Sequence, residues 1–150
     1  MRAVITGGSS GIGFATAQVL GREGYEIIVV SFDEKQQEPT LKALAEEGIK
    51  ASYYLCDVTK EESVNETFAR ISEKADSVDL LVNAVSPGTI DTPFHAATAR
   101  ELVESWKAGI PMGRLGEASE VATVIKFLAS PDASYITGEV IQINGGQAFI

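Results

Sequence analysis

A chain of 150 residues suits a single domain, 1–150, and at this size folding buries about 68–70% of the unfolded surface. Hydrophobic residues make up 45% and charged residues 22%, an ordinary soluble composition. The net charge of −9 argues against nucleic acid or an anionic membrane as partner. No apolar run approaches the roughly 18 residues that a membrane span needs, and the single cysteine, Cys56, excludes an internal disulfide framework. With a first strand starting at Arg2 or Ala3, no secretory leader is expected, and the cytoplasm is the expected compartment.

Strand and helix signals alternate along the N-terminal half. Arg2 to Ile5 is a short, mostly apolar run that ends in a Gly/Ser cluster, as a buried strand does. Ile12, Ala15, Val19 and Leu20 then mark one face of a helix from Gly11 to Glu23, with Gly24 placed to end it. Ile27 to Val30 is a run of β-branched residues and reads as a central strand. Pro39 suits the first turn of a helix that Gly48 ends, and Ala51 to Leu55 is the next strand. Thr59 and Glu62 have the spacing of a capping box. The helix they open carries Val64, Phe68 and Ile71 on one face, and Leu80 to Val82 is a further buried strand.

The second half has a different rhythm. Ser86-Pro87-Gly88 is a turn, and Thr92-Pro93 reads as the start of a helical stretch that includes Leu102, Val103 and Trp106. Gly109 to Gly116 is a loop. Val121, Val124, Ile125 and Leu128 form a helical stripe that stops before Pro131. Val140 to Ile143 is expected as a last strand, closed by Asn144-Gly145-Gly146. The alternation implies an α/β domain, a parallel sheet with helices on both faces.

The segment from Thr6 to Gly13, Thr-Gly-Gly-Ser-Ser-Gly-Ile-Gly, lies between the first strand and the first helix. Phosphate binding needs this context. Small residues let the backbone approach a pyrophosphate, and the helix start supplies free N–H groups and a positive dipole end. Gly7, Ser9, Ser10, Gly11, Ile12 and Gly13 are therefore candidate nucleotide contacts; a plain tight strand–helix connection is the alternative. An acid near the end of the second strand, roughly 20 residues on, would take the ribose hydroxyls. Asp33 lies at about that distance, with Ser31 and Phe32 competing for the decisive position. No Arg or Lys stands at 31–33, and Asp33 would repel a 2′-phosphate, so the residues favour NAD over NADP. A solvated loop aspartate is the alternative.

Together these residues resemble the short-chain dehydrogenase/reductase family. Thr6-Gly7 through Gly11-Ile12-Gly13 is similar to its cofactor turn, and Asp57-Val58 to its adenine-contacting pair. Asp79 through Ala84 resembles its fourth strand. The run Val82-Asn83-Ala84-Val85-Ser86-Pro87-Gly88, followed by Ile90-Asp91-Thr92-Pro93, resembles the Pro-Gly segment after its sixth strand. Gly113 to Gly116, Phe127 to Ser130, Ile136-Thr137-Gly138 and Asn144-Gly145-Gly146 resemble its C-terminal part. The resemblance implies a Rossmann-like, doubly wound parallel sheet that binds NAD or NADP. It adds Asp57, Val58, Asn83, Ala84, Pro87, Gly88 and Thr92 to the expected cofactor contacts.

The family's middle is missing. Val82-Asn83-Ala84 serves both as the end of the fourth strand and as the start of the Pro-Gly segment, so an internal deletion joined at that triplet is expected. The fifth strand with its serine and the helix with Tyr-x-x-x-Lys have no counterpart. Tyr25, Tyr53, Tyr54 and Tyr135 are followed four positions on by Val29, Asp57, Val58 and Glu139. No residue is therefore assigned as catalytic or as a metal ligand. The family's reaction needs the tyrosine as acid/base, so an impaired oxidoreductase homologue is expected. The alternatives are a reductase using a substitute acid, His95 or a partner-chain residue, and a non-enzymatic interaction module.

Fusing the fourth and sixth strands leaves about five strands, in the order 3-2-1-4-7. Strands lie about 4.8 Å apart, so the Pro-Gly segment moves roughly 10 Å toward the first strand. In the family that segment contacts the nicotinamide; here it would crowd the nicotinamide or pyrophosphate region and leave the adenosine side better preserved. The resemblance also implies a homodimer, because the lost helices expose apolar sheet surface and the final helix and strand form a family interface.

Overall fold

The computed structural model describes residues 1–83 and 85–148. Five β/α elements open the chain: β1 Arg2–Thr6, α1 Gly11–Arg22, β2 Glu26–Ser31, α2 Gln37–Glu46 and β3 Ala51–Leu55. They are followed by α3 Glu61–Lys74, β4 Leu80–Val82, β5 Ile90–Asp91, α4 Arg100–Ala108, β6 Gly116–Glu117 and α5 Ala118–Leu128. Single 3₁₀ turns lie at Glu34–Gln36, Pro93–His95 and Pro131–Ala133.

Among the described residues the main sheet has four parallel strands in the order β3-β2-β1-β4. Its register sets Val4 beside both Ile28 and Leu81, and Val30 beside Tyr54. Strand alternation divides the apolar residues between two layers. Ala3, Ile5, Ile27 and Val29 pack on Ala17 and Leu20 of α1 and Leu44 of α2. Val4, Ile28, Val30 and Tyr54 pack on Ile71, Val64 and Phe68 of α3. Ile27 and Val29 are fully buried, and each such side chain contributes about 1.5–3 kcal/mol relative to exposure. Helix α5 lies against α1, and its Val121 and Ile125 enclose Ile90 of β5 together with Ile12 and Val82. The α/β, Rossmann-like arrangement of the parallel sheet stands as expected.

Three local expectations are corrected. The fifth strand, Val140 to Ile143, does not form. Ile143 packs against Ile90, Val121 and Ile125, but the segment's one backbone bond to the rest of the described chain runs from the Gly88 N–H to the Ile143 carbonyl at 2.9 Å, and a single bond does not make a ladder. The sheet therefore ends at β4, while β5 pairs with β6 in a separate two-stranded piece. The Thr59–Glu62 capping box is also absent, and Lys60 precedes α3 with no side-chain cap. Asp57 has captured Thr59 instead, accepting its N–H at 3.1 Å and its hydroxyl at 2.6 Å. Finally, Thr92-Pro93 opens only the 3₁₀ turn Pro93–His95, and α4 starts afresh at Arg100. A reciprocal cap is found at α5, where Glu120 accepts the Glu117 N–H at 2.7 Å.

Candidate functional site

A groove of about 770 Å³ runs along the C-terminal ends of β1 and β2, where the sheet of an α/β fold offers its ligand crevice. Its floor is the turn between β1 and α1. Gly7 has φ +65° and donates its N–H to the Val30 carbonyl at 2.8 Å, which ties the turn to the end of β2. Gly13 must lack a side chain, because a β-carbon there would lie 2.2 Å from the Gly7 carbonyl oxygen. The turn thereby folds flat against the first turn of α1. Ser10 precedes the helix in extended conformation, and its side chain makes no cap bond. The first N–H groups of this 12-residue helix are thus left to a ligand, the arrangement that receives a phosphate.

The end of β2 forms one wall. The Ser31 hydroxyl shares a hydrogen bond with the Ser9 hydroxyl at 2.9 Å and accepts the Asp33 N–H at 3.3 Å. The Asp33 carbonyl accepts the Tyr53 hydroxyl at 2.5 Å. Asp33 Oδ1 accepts the Lys35 N–H at 3.0 Å, which starts the 3₁₀ turn and fixes the carboxylate at the groove. Phe32 is 78% exposed there, and Val58, also exposed, stands among the lining residues with it. Asp33 is the sole charged side chain among the described lining residues. The groove presents hydroxyls, main-chain N–H groups and apolar surface, and no cation among its described lining residues.

The sequence-expected contacts divide. Gly7, Ser9, Ser10, Gly11, Ser31, Phe32, Asp33, Val58 and Asn83 line the groove. Gly13 shapes it from beneath, and Ile12 turns inward onto Ile90, Val121 and Ile125. The Asp57 side chain is occupied by Thr59 and by the Lys60 ammonium at 3.2 Å. Those Thr59 bonds, aided by Lys60, hold its carboxyl below the usual carboxylate range. Asp57 thus shapes the turn that presents Val58. Thr92 rests on Gly11, while Pro87 and Gly88 lie away from the groove, Gly88 packed against Asn144. Ala84 lies outside the described residues.

Thr6, Phe14, Val30, Gln36, Cys56 and Pro93 also line the groove, and sequence reasoning missed them. Thr6 had a readable signal, as the polar residue that ends β1. Its hydroxyl donates to the Asn83 carbonyl and lies 3.2 Å from Asn83 Oδ1, joining the ends of β1 and β4. His95 is not among the lining residues. Its ring stands edge-on to Trp106, with centroids 5.2 Å apart. No tyrosine reaches the groove: Tyr53 faces β2 and Asp33, and Tyr54 packs in the core under Arg70.

Residues 1–145 match the family model described as short chain dehydrogenase. The chain belongs to that family. Among curated relatives, the 3-oxoacyl-[acyl-carrier-protein] reductase FabG of Aquifex aeolicus is 53% identical over 68 residues, 45% of this chain and 27% of that protein. FabG of Chlamydia muridarum is 40% identical over 78 residues, 52% of this chain and 32% of that protein. These matches span about a third of the relatives' length or less. The uncharacterized oxidoreductase YxbG of Bacillus subtilis is 26% identical over 244 positions, covering 96% of this chain and 89% of that protein. That alignment is longer than the 150-residue chain, so it crosses positions at which this chain has no residue.

Two solved structures share the short chain dehydrogenase fold. Gox2181 superposes with a TM-score of 0.92 at 22% identity, covering 97% of this chain and 95% of that one. An actinorhodin polyketide ketoreductase with NADPH superposes at 0.88 and 20% identity, covering 97% and 96%. Among the described residues no helix is long and apolar enough to cross a membrane.

Proposed function

We propose that this short chain dehydrogenase relative binds NAD(H) through its adenosine half and does not carry out the family's hydride transfer. The observation that carries the reading is the make-up of the groove. It offers an open helix N-terminus, the hydroxyls of Ser9, Ser10 and Ser31, and the Phe32, Asp33 and Val58 wall. Among its described lining residues it offers no tyrosine, lysine or histidine. Proton transfer to or from a substrate oxygen needs an acid or base within about 2.6–3.2 Å, and the one carboxylate of the groove, Asp33, is held at the end of β2, on the side we assign to the ribose. An internal deletion joined at Val82-Asn83-Ala84 accounts for that loss, and the alignment to YxbG, longer than this chain, supports it.

The residues fit a nicotinamide dinucleotide on its adenosine side. When bound, the nicotinamide ring would supply hydride chemistry. The work of this chain is to seat one phosphate on the α1 N-terminus, place the ribose beside Asp33 and cover the adenine with Phe32 and Val58. Asp33 and the lack of any lining cation favour NAD over NADP. Calorimetric titration with NAD, NADH, NADP, NADPH and AMP tests the binding, and NADH consumption with a broad carbonyl panel tests the chemistry. Binding of AMP and NAD without turnover is expected. Turnover above the uncatalysed rate, or no adenine nucleotide binding at all, overturns the reading.

A further inference from the structure

Every residue of β4 is apolar, Leu80, Leu81 and Val82, the composition of a strand paired on both edges. It holds the last place in the sheet, with β1 on one side and no strand on the other among the described residues. Leu81 is 52% exposed on the sheet face that α3 leaves uncovered. No proline, bulge or charge within β4 protects this edge, which therefore presents main-chain hydrogen-bonding groups to any compatible strand.

We infer that β4 pairs antiparallel with β4 of a second copy, through a two-fold axis at Leu81. The residues around Leu81 are self-complementary in that register. Leu80 falls opposite Val82 of the second copy, and Leu81 opposite its own equivalent. Asp79 falls level with Asn83 of the second copy, and its carboxylate is held back on the Arg2 N–H at 2.6 Å, so no two carboxylates meet across the axis. A symmetric dimer needs such an isologous patch. The pairing joins two four-stranded sheets into one of eight strands and covers both Leu81 side chains. The net charge of −9 opposes association at long range, but salt screens it beyond about 8 Å at physiological ionic strength.

Sedimentation of the 150-residue chain across concentrations, with Leu81→Lys, Leu81→Glu and their equimolar mixture, tests this. Leu81 is already half exposed in the single chain, so both variants are expected to fold, with the melting curve that the wild type shows once diluted to the monomer. The wild type is expected at twice 15.9 kDa. Each charged variant should dimerise at least about tenfold more weakly, because like charges then meet across the axis, and the mixture should recover the dimer. Hydrogen exchange on the wild type gives a second measure: β4 amides should gain protection with concentration. A wild type that stays at 15.9 kDa at every concentration overturns the inference, as does a dimer unaffected at Leu81 or β4 exchange independent of concentration. None of these outcomes depends on nucleotide binding.

Discussion

The side chain of Thr92 lies over Gly11: a β-carbon at Gly11 would lie 3.4 Å from both Cβ and Cγ2 of Thr92, in van der Waals contact. Two segments far apart in the chain thus meet over the first turn of α1. Gly11, at φ +51°, opens the helix that would hold the phosphate. Pro93, the next residue after Thr92, lines the groove beside Gly11. In our account this contact separates the adenosine half, which keeps its site, from the nicotinamide half, which loses room.

Trimming the contact should therefore change the two halves unequally. Thr92→Gly is expected to leave AMP affinity unchanged and to tighten NADH by roughly threefold to tenfold. Titration of both ligands against both proteins checks this, and equal gains for AMP and NADH would count against the contact as the obstruction.

Gly13 makes a second test, of the turn itself. The β-carbon added by Gly13→Ala would overlap the Gly7 carbonyl, and the backbone must move to relieve it. A loss of about 1–3 kcal/mol of stability is expected, seen as a lower denaturation midpoint, together with loss of AMP binding as the turn lifts from the helix.

Asp33 sets the choice between NAD and NADP. It is the sole charge among the described groove residues, and a 2′-phosphate beside it would be repelled. Asp33→Asn should raise NADP affinity relative to NAD by about 1–2 kcal/mol, roughly five- to thirtyfold. An unchanged ratio would place the ribose elsewhere.

The latch at the start of α5 gives a pH prediction. Arg114 binds Glu120 through two contacts, at 2.7 and 2.8 Å, and Glu120 also accepts the Glu117 N–H. The Arg114 bonds, with that N–H, lower the Glu120 carboxyl from 4.5 to about 2. A carboxyl lowered by folding contributes stability above its unfolded value and loses it as pH falls through the folded one. Melting curves of the wild type and Glu120→Gln should therefore differ most at neutral pH and converge between 4.5 and about 2. Because the pair is exposed, the neutral-pH difference should be small.

The central strands were legible because burial on both faces leaves a local signature, the β-branched run Ile27 to Val30. Val140 to Ile143 carries a similar signature and forms no strand, since the chain does not bring it alongside the free edge of β4, which no local pattern shows. Thr59 and Glu62 have the spacing of a capping box, but Asp57, two residues upstream, competes for the same hydroxyl. In the groove, the glycine turn and Asp33 could be read from their positions relative to β1 and β2. Phe14, Gln36, Cys56 and Pro93 could not, because three-dimensional folding alone brings them to one crevice. Pro87 and Gly88 were expected there, yet the Gly88 bond to Ile143 draws them to the opposite end of the chain.

The most direct measurement compares AMP with NADH on the unmodified protein by titration calorimetry. If the adenosine half carries the binding, the two dissociation constants should lie within about tenfold, a difference below roughly 1.4 kcal/mol. NADH binding more than about a hundredfold tighter than AMP would show the nicotinamide half engaged and would contradict the account.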